Sequence, residues 1–435
     1  MKENMKQIKT EDKNFKKEFE ELLKRGHMDM DNVSKIVLDI ISEIKKDGNE
    51  ALKKHIEKFD MWTPKSDEEL QISCESMKKA YDELDIELKK ALQLAYDRIK
   101  AYHQKQKPTS WLDYEENGNV LGQKVTPVDR AGLYIPGGKA AYPSSLLMNA
   151  IPAIVAGVKE IVVCTPAPCN ELNSLLLAAM HLCGIKKAYK VGGASAISAM
   201  AYGTKTISKV DVITGPGNIF VATAKKLVFG EVNIDMIAGP SEIGILADES
   251  SDTNFLAIDL LSQAEHDEMA SSILITPSQR IADETSKKVY EWLEKLNRKE
   301  IAMASIKERG AIIVTRDMEE AVNLMNEIAP EHLEVMTQYP FDLLPKIKHA
   351  GAIFMGRFTP EPIGDYIAGP NHTLPTGGTA KFYSPLGVEN FLKKSSIISM
   401  SQEGIKEIGK ECALIARTEG LGAHEASVLE RLKLI

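Results

Sequence analysis

The spacing of apolar residues changes along the chain. Over the first hundred residues, two segments place apolar residues at helical intervals with charged residues between them, at residues 31–59 and 74–103. This spacing predicts helices. The next stretch, residues 108–129, is mixed, and Asn117 followed by Gly118 indicates a turn.

From residue 131 onward, short apolar runs alternate with amphipathic stretches. The apolar runs predict strands at residues 131–135, 161–165, 188–191, 211–214, 243–247, 272–276, 311–314 and 351–355. The amphipathic stretches predict helices that include residues 172–182, 219–229 and 253–266. Such alternation is typical of parallel sheets covered by helices. Eight strands exceed the need of one mononucleotide-binding half, so we expect two Rossmann-like α/β domains with parallel sheets, plus helical N-terminal and C-terminal segments.

Residues 356–387 interrupt this alternation with a loop that is rich in glycine and proline. A long loop inside a compact chain usually has a function. The final fifty residues are predicted to return to helix.

Composition and charge limit the classes of function. The chain has 435 residues, 43% hydrophobic and 27% charged, which is ordinary for a globular protein. Its formal net charge of -8 disfavours nucleic acid as a partner. The charged amino terminus does not resemble a signal peptide, and no apolar run is long enough for a membrane span. Five scattered cysteines fit a reducing cytoplasm better than a disulfide framework.

Gln263 and His266 lie three residues apart near the end of one predicted helix, for which Asp252 or Thr253 can provide the N-cap. Residues at this spacing share a helix face and could hold a metal ion together. An equally simple interpretation is a histidine favoured by the helix dipole, with the glutamine exposed.

Glu331 and His332 follow Pro330, a residue that is favoured in the first turn of a helix. We therefore expect a helix to start here. Its positive end would keep Glu331 ionised and His332 neutral, as a general base requires. The alternative is an ordinary capped surface helix.

Two further clusters contain histidine and a carboxylate. Asp365 and His372 lie within the long loop, where a ligand site and simple turn chemistry are both possible. Glu419 and His424 flank a glycine-rich break that precedes a C-terminal helix. The remaining five histidines lie in charged helical surroundings and are expected to be structural or surface residues: His27, His55, His103, His181 and His349.

Three glycine-containing loops adjoin predicted strands, at residues 134–138, 214–218 and 238–242. Glycine after a strand lets backbone amides approach a phosphate at a helix N-terminus. None of these loops is G-x-G-x-x-G, and tight structural turns explain them equally well.

Seven segments together resemble the histidinol dehydrogenase family. In chain order they are DRAGLYIPGGKAAYPSSLLMNAIPA, ITGPGNIFVATAKK, IDMIAGPSEIGILAD, DLLSQAEH, APEHLEV, GDYIAGPNHTLPTGGTAKFYSPLGV and TEGLGAHEASV. They extend from about residue 129 to the end of the chain.

The resemblance implies a cytoplasmic enzyme of histidine biosynthesis. It would oxidise L-histidinol through L-histidinal to L-histidine in two NAD-dependent steps, a four-electron oxidation. The resemblance also implies one zinc ion per subunit that positions the substrate, and an intertwined homodimer with shared active sites.

Site residues follow from the same resemblance, position by position. The implied zinc ligands are Gln263, His266, Asp365 and His424, the last from the partner subunit. The implied catalytic pair is Glu331 and His332, in which His332 takes the hydroxyl proton and Glu331 helps to activate water. The implied contacts to L-histidinol are Ser241, Gln263, His266, His332, Asp365, His372, Glu419 and His424. The implied NAD contacts are Tyr134 and Asn218.

One position departs from the family pattern. The expected GGAQAI reads GGASAI at residues 192–197, so Ser195 replaces a glutamine, and a direct contact to NAD at this position is open. The expected domains are an N-terminal helical extension (1–29), a discontinuous domain with the zinc and catalytic residues (30–133 and 242–386), an NAD-binding domain (134–241) and a helical C-terminal domain that reaches the partner subunit (387–435).

Other functions are compatible with some of these residues. A zinc hydrolase would use Glu331 as a base, and a catalytically silent protein that binds a nucleotide or another metabolite would keep the fold alone. An aldehyde dehydrogenase with a cysteine nucleophile is disfavoured, because Cys164 and Cys169 flank a proline-containing turn with no recognisable base.

Overall fold

The structure, a computed structural model, describes residues 5–26, 30–137 and 143–435. The strands in these ranges are β1 (Lys6–Lys9), β2 (Trp111–Tyr114), β3 (Val120–Pro127), β4 (Arg130–Tyr134), β5 (Glu160–Thr165), β6 (Lys187–Lys190), β7 (Val212–Thr214), β8 (Asn233–Ile234), β9 (Glu242–Ala247), β10 (Ser271–Thr276), β11 (Ala311–Val314), β12 (His332–Met336), β13 (Ala352–Met355) and β14 (Leu392–Ser399).

The α-helices in the same ranges are α1 (Phe15–Leu23), α2 (Asp31–Asp47), α3 (Asn49–Phe59), α4 (Cys74–Glu83), α5 (Ile86–Gln104), α6 (Pro143–Ala156), α7 (Ser174–Leu182), α8 (Gly193–Tyr202), α9 (Ile219–Val228), α10 (Thr253–Ala264), α11 (Gln279–Leu293), α12 (Lys299–Arg309), α13 (Met318–Ile328), α14 (Glu361–Ile363), α15 (Gln402–Thr418) and α16 (Gly422–Leu432).

The chain divides into two compact units. Unit 1 contains Met1–Gln106 and Asp129–Phe391, and unit 2 contains Lys107–Val128 and Leu392–Ile435. The predicted domain boundaries differ from these ranges and stay a prediction.

A larger parallel sheet in unit 1 has the strand order β1-β11-β10-β9-β12-β13. Every residue of β9, β10 and β12 is buried, because apolar clusters cover both faces of the sheet. Strands that are buried on both faces usually have continuous apolar sequences, but in β12 His332 and Glu334 interrupt the run. The strands β9 and β12 are neighbours, with His332 opposite Ile243, and this register positions the candidate site.

A second parallel sheet in unit 1 has the order β6-β5-β4-β7-β8. Its core includes residues of α2, α3, α8 and α9. Gly132 on β4 permits close packing, because a Cβ at this position would lie 2.7 Å from the Sδ atom of Met200 on α8.

Unit 2 contains an antiparallel sheet with the order β14-β3-β2 and the helix pair α15 and α16. The turn between the two helices contains Gly420, at φ +76, where the absence of a side chain removes the strain. The predicted helical end of the chain is therefore correct for α15 and α16, whereas residues 392–399 form a strand instead.

The predicted α/β class and all eight predicted strands are confirmed. Further strands were not predicted, among them β1 near the amino terminus and β12 in the centre of the larger sheet. The predicted helix over residues 31–59 is divided at Gly48, and the glycine-rich loop contains α14 and a π-helical turn, Gly364–Ala368. His27 and Gly138 lie outside the described residues.

The prediction that a helix starts at Pro330 is wrong. Helix α13 ends just before this point, with Ala329 in the left-handed conformation at φ 48, and the chain then enters β12. Proline commonly follows the end of a helix, since it cannot continue one. Pro330 therefore marks the end of a helix and not its beginning.

Across the described ranges, none of the helices combines the length and apolar character needed to cross a membrane.

Candidate active site

A pocket of about 790 Å³ in unit 1 brings together eight residues that the sequence predicted to act in one site. They are Asn218, Ser241, Gln263, His266, Glu331, His332, Asp365 and His372. Distant segments converge here because β9 and β12 are adjacent in the sheet and α10 ends beside them. Ser241 precedes β9, and His332 is the first residue of β12, so the pocket lies at the amino ends of these strands.

His332 is 2% exposed and is held in one orientation. Its Nδ1 atom lies 3.0 Å from the carbonyl oxygen of Glu242, a geometry in which Nδ1–H donates. Its Nε2 atom lies 3.4 Å from a carboxylate oxygen of Asp365. The hydrogen bond at Nδ1 therefore directs Nε2 towards Asp365.

Glu331 lies beside this imidazole and is also buried. Its carboxylate accepts a hydrogen bond of 2.9 Å from the backbone N–H of Glu242, and a carboxylate oxygen lies 3.7 Å from Nδ1 of His332. Burial raises the pKa of Glu331 to about 8.

The surroundings of Glu331 and His332 shift both pKa values upward, which is the opposite of what a helix start would do. Burial alone would lower the pKa of His332, but Glu331 and Asp365 outweigh it and raise that pKa well above its usual value. Because Glu331 and His332 lie at the start of a buried strand, desolvation and neighbouring carboxylates determine their ionisation, and no helix dipole does.

Asp365 lies between two imidazoles in the π-helical turn. Besides its contact with His332, it lies 3.7 Å from Nδ1 of His372. Burial would raise the pKa of Asp365, yet the two neighbouring imidazoles, His332 and His372, bring it well below its usual value. This carboxylate is therefore ionised, as a metal ligand must be.

Gln263 has a side chain suited to hold a metal ion. The residue is 1% exposed, and its Oε1 atom has no hydrogen-bond partner. A buried amide oxygen without a partner costs free energy that an ion at this position would recover. His266 follows the end of α10 and is exposed at the edge of the same pocket. Both side chains are thus compatible with the predicted zinc site.

Glu361 belongs to the site and was missed in the sequence. One ligand atom each from His332, Glu361 and Asp365 lies within 4.8 Å of the others, which is close enough to surround a cation. Burial raises the pKa of Glu361 to about 8, and Asp365 adds to the effect. Glu361 stands between two prolines, a context that indicates a turn and gives no sign of burial.

Further buried carboxylates extend from Glu361 away from the pocket. Glu334 on β12 accepts a hydrogen bond of 2.8 Å from the backbone N–H of Glu361. Burial raises the pKa of Glu334 well above its usual value, and Asp259 on α10 raises it further. The pKa of Asp259 is itself raised by burial to about 6.

A second pocket of about 560 Å³ lies beside the smaller sheet and contains the predicted NAD contact Tyr134. The Tyr134 hydroxyl accepts a hydrogen bond of 3.2 Å from the backbone N–H of Gly193. A Cβ at Gly193 would meet no atom within 4 Å, so the backbone borders open space that a ligand can fill. Asn218, which caps α9, lines both pockets and therefore links them.

A buried ion pair fixes the loop that leads to Asn218. The ammonium of Lys225 pairs with Asp235, and both side chains are almost fully buried. Lys225 also donates to the Gly215 carbonyl at 2.9 Å, while Asp235 accepts from the Gly215 N–H at 2.8 Å. The two charges therefore hold Gly215 through both of its backbone polar groups.

Glu419 and His424 lie in unit 2. Both are exposed, and both line a pocket of about 620 Å³ between α15 and α16. Their predicted roles in the zinc site and in substrate binding stay predictions.

Comparison with known proteins identifies the family. A family profile described as histidinol dehydrogenase matches residues 23–432. The histidinol dehydrogenase of Sulfurimonas denitrificans is 72% identical over 418 residues, which cover 96% of this chain and 97% of that protein. That of Wolinella succinogenes is 69% identical, with the same coverage. The crystal structure of histidinol dehydrogenase from Elizabethkingia anophelis matches with a TM-score of 0.93 and 36% identity, covering 100% of this chain and 99% of that one. The chain belongs to the histidinol dehydrogenase family.

Proposed function

We propose that this chain is an NAD-dependent oxidoreductase that converts L-histidinol through L-histidinal to L-histidine, the last two steps of histidine biosynthesis, in the cytoplasm. The observation that carries the proposal is the convergence of Gln263, Glu331, His332 and Asp365 in one pocket, which shares Asn218 with a second pocket. Membership of the histidinol dehydrogenase family indicates L-histidinol as the substrate, and the side chains in the pocket fit its oxidation.

His332 acts as the base that removes the proton of the substrate hydroxyl. Its Nδ1–H is committed to the Glu242 carbonyl, so the hydroxyl proton goes to Nε2. NAD held at Tyr134 and Asn218 would supply the acceptor for the hydride that leaves the same carbon in both oxidations, first from the alcohol and then from the hydrated aldehyde. Holding the ring by a backbone carbonyl keeps Nε2 directed into the pocket through both oxidations.

Glu331 serves the second oxidation, in which histidinal adds water. Its pKa of about 8 lies close to physiological pH. A carboxyl group of this pKa can take a proton from water and return it, which is the property required of a general base near neutral pH.

We further propose that Gln263, His266 and Asp365 hold zinc together with His424 of the partner subunit. Support comes from the unpartnered Oε1 atom of Gln263 and from the ionised carboxylate of Asp365. Bound zinc would orient the substrate's imidazole and amine and would offset the negative charge that favours protonation of His332. Ser241 and His372 line the same pocket, and we assign them to contacts with L-histidinol along with Glu419.

A homodimer is proposed because the zinc set needs a residue from unit 2 of another chain. Unit 2 carries large exposed apolar side chains on its helix pair, among them Leu414, Ile415 and Leu421. Exposed apolar groups of this kind are typical of surfaces that another protein covers.

NAD is assigned to the second pocket with Tyr134 and Asn218.

The test is an NAD-reduction assay with L-histidinol. We expect an increase of NADH absorbance with two NAD reduced per histidinol, and loss of activity after a chelator, restored by zinc. A hydrolase would give no NADH with this substrate. NADH binding without turnover would instead indicate a silent metabolite-binding protein, and either result would overturn the proposal.

A further inference from the structure

Arg25 is a buried cation in the N-terminal part of unit 1. It lies in the helical turn Lys24–Gly26 that follows α1, and the residue is 8% exposed. Its Nε atom lies 3.1 Å from one carboxylate oxygen of Glu242, and its Nη2 donates at 3.3 Å to the other. Nη2 also donates at 2.8 Å to the backbone carbonyl of Ile328, the last residue of α13. The guanidinium therefore joins two segments that are 217 and 303 residues away in sequence.

Glu242, the partner of Arg25, holds both members of the proposed catalytic pair through its backbone. Its N–H donates at 2.9 Å to the carboxylate of Glu331, and its carbonyl oxygen lies 3.0 Å from Nδ1 of His332. The side chain and these two polar groups belong to one residue, so fixing the carboxylate restricts the positions of the N–H and the carbonyl. Only one residue therefore separates Arg25 from the groups that are expected to move protons.

The contact with Ile328 restrains the segment that leads into Glu331. Helix α13 ends at Ile328, and two residues separate this end from Glu331. The backbone carbonyl of Arg25 in turn accepts a hydrogen bond of 2.7 Å from Nη1 of Arg309 on α12, which holds the turn in place. Arg25 therefore restrains β9 on one side of the catalytic pair and the approach to β12 on the other.

Stability alone does not account for a charged pair at this depth. The side chains of Arg25 and Glu242 are 5% and 3% exposed. Burial raises the pKa of Glu242, and the charge of Arg25 opposes that rise. Removing two charges from water costs free energy that an apolar pair of similar volume would not cost, so buried ion pairs often add no net stability. A guanidinium and a carboxylate do meet in few geometries, so the pair defines an orientation.

We propose that Arg25 is a positioning residue for the reaction: by holding Glu242 and the end of α13, it places Glu331 and His332 for proton transfer. This inference rests on the proposed function, since it takes these two residues to be catalytic. The N-terminal segment, expected from the sequence to be a helical extension, then takes part in the reaction without touching the substrate.

The first test replaces Arg25 by methionine in the full-length enzyme. The substitution removes the cation and keeps an unbranched side chain. A displacement of about 1 Å in a catalytic group can cost about 10²-fold in rate, so we expect kcat for histidinol to fall about 10- to 100-fold. KM for histidinol, KM for NAD and zinc content should change little, because Arg25 lines neither pocket. The same fall is expected with histidinal, since Glu242 holds both catalytic residues.

The matched control for lost stability is Leu293→Ala on α11. Leu293 is fully buried in an apolar cluster on the same parallel sheet. This variant should lower the urea midpoint, as large-to-small core substitutions do, and keep its kcat at temperatures where it is folded. A purely structural role predicts the same behaviour for Arg25→Met. A lowered urea midpoint with unchanged kcat in Arg25→Met would therefore overturn the proposal.

Variants of both partners separate orientation from charge. Arg25→Lys keeps the charge but not the planar fork, so its kcat should lie between those of Arg25→Met and the unmodified enzyme, and it provides the test if Arg25→Met does not fold. Glu242→Gln removes the ion pair from the other side and should also lower kcat. Combining it with Arg25→Met should lower kcat little further, because the two side chains act through one contact. Fully additive losses, or unchanged kcat in Arg25→Lys, would contradict the positioning role.

A crystal structure of Arg25→Met shows whether the catalytic pair has moved. We expect the hydrogen bond between Nδ1 of His332 and the Glu242 carbonyl to lengthen or break. Turnover of histidinol by the unmodified enzyme tests the proposed function separately. An active enzyme in which Arg25→Met keeps both its kcat and this hydrogen bond would refute this inference alone. An inactive unmodified enzyme, with His332 still displaced in Arg25→Met, would refute the proposed function alone.

Discussion

Replacing Lys225 by methionine tests whether the buried ion pair holds the loop between the two pockets. The substitution keeps the length and apolar stem of the side chain but leaves Asp235 buried without its cation. Removing one partner of a buried pair costs about 3–5 kcal/mol. Asp235 retains backbone hydrogen bonds from Gly215 and Met236, at 2.8 and 2.6 Å, so we expect the lower end, about 3 kcal/mol.

Urea denaturation followed by tryptophan fluorescence measures this loss, since Trp62 packs against the same core as α9. The m-value grows with chain length and exceeds about 3 kcal/mol/M for a chain of this size, so a loss of about 3 kcal/mol lowers the urea midpoint by up to about 1 M. The control is Lys209→Met, because Lys209 forms an exposed ion pair with Glu231, and such pairs contribute about 0–1 kcal/mol.

The double variant Lys225→Met with Asp235→Asn decides whether the cost comes from the unpaired charge. This double variant removes both charges. Its loss in free energy of unfolding should therefore be about 2 kcal/mol smaller than the sum of the losses in the two single variants. KM for NAD should also rise in Lys225→Met, because Asn218 follows the released loop. Two outcomes would contradict this prediction. One is a double variant whose loss in free energy of unfolding equals the sum of the single losses, and the other is a loss in Lys225→Met no larger than that in Lys209→Met.

Four other outcomes are expected. His332→Asn should lower kcat by about 10²–10⁴ with metal content unchanged, and near-normal turnover would remove it from the mechanism. His266→Ala should lose zinc in elemental analysis; one metal per chain would reject it as a ligand. Mixing inactive His332 and His424 variants should restore part of the activity after subunit exchange, whereas no recovery would count against shared sites. The folded-state pKa of Glu334 is raised, so its contribution to stability is present at low pH and is lost as pH rises above the usual pKa of 4.5. Glu334→Gln cannot ionise and should therefore gain stability relative to the unmodified protein as pH rises from about 5; a constant difference in urea midpoint would contradict this.

Most strands of the two parallel sheets were predictable, because burial on both faces produces uninterrupted apolar runs. β12 was not, since its sequence HLEVM interrupts the run with His332 and Glu334. Both polar side chains are tolerated in the core because neighbours bind them, and such tertiary partners leave no periodic signal in the sequence. Pro330 then favoured the wrong interpretation, namely that a helix starts at this residue.

The site was predictable only through the resemblance. Spacing within single segments left Gln263, His266 and Asp365 open to ordinary structural roles, because their convergence depends on which strands are neighbours. The sequence around Glu361 did not indicate that this residue is buried or belongs to the site. His55 was predicted to be structural, and its contact with Ser195 depends on packing between helices that are more than one hundred residues apart in sequence.

Side chains alternate between the two faces of β12, so the face that each one occupies depends on the number of residues between α13 and the strand. His332 and Glu334 face one side, towards α10, while Leu333 and Val335 pack in the core on the other side. Deleting one residue between Ala329 and His332 would therefore invert the strand. An imidazole and a carboxylate would enter the apolar cluster, and a leucine would point into the candidate active-site pocket. Substitutions within β12 leave each position on its own face of the sheet, whereas a one-residue deletion in the segment before the strand exchanges the two faces.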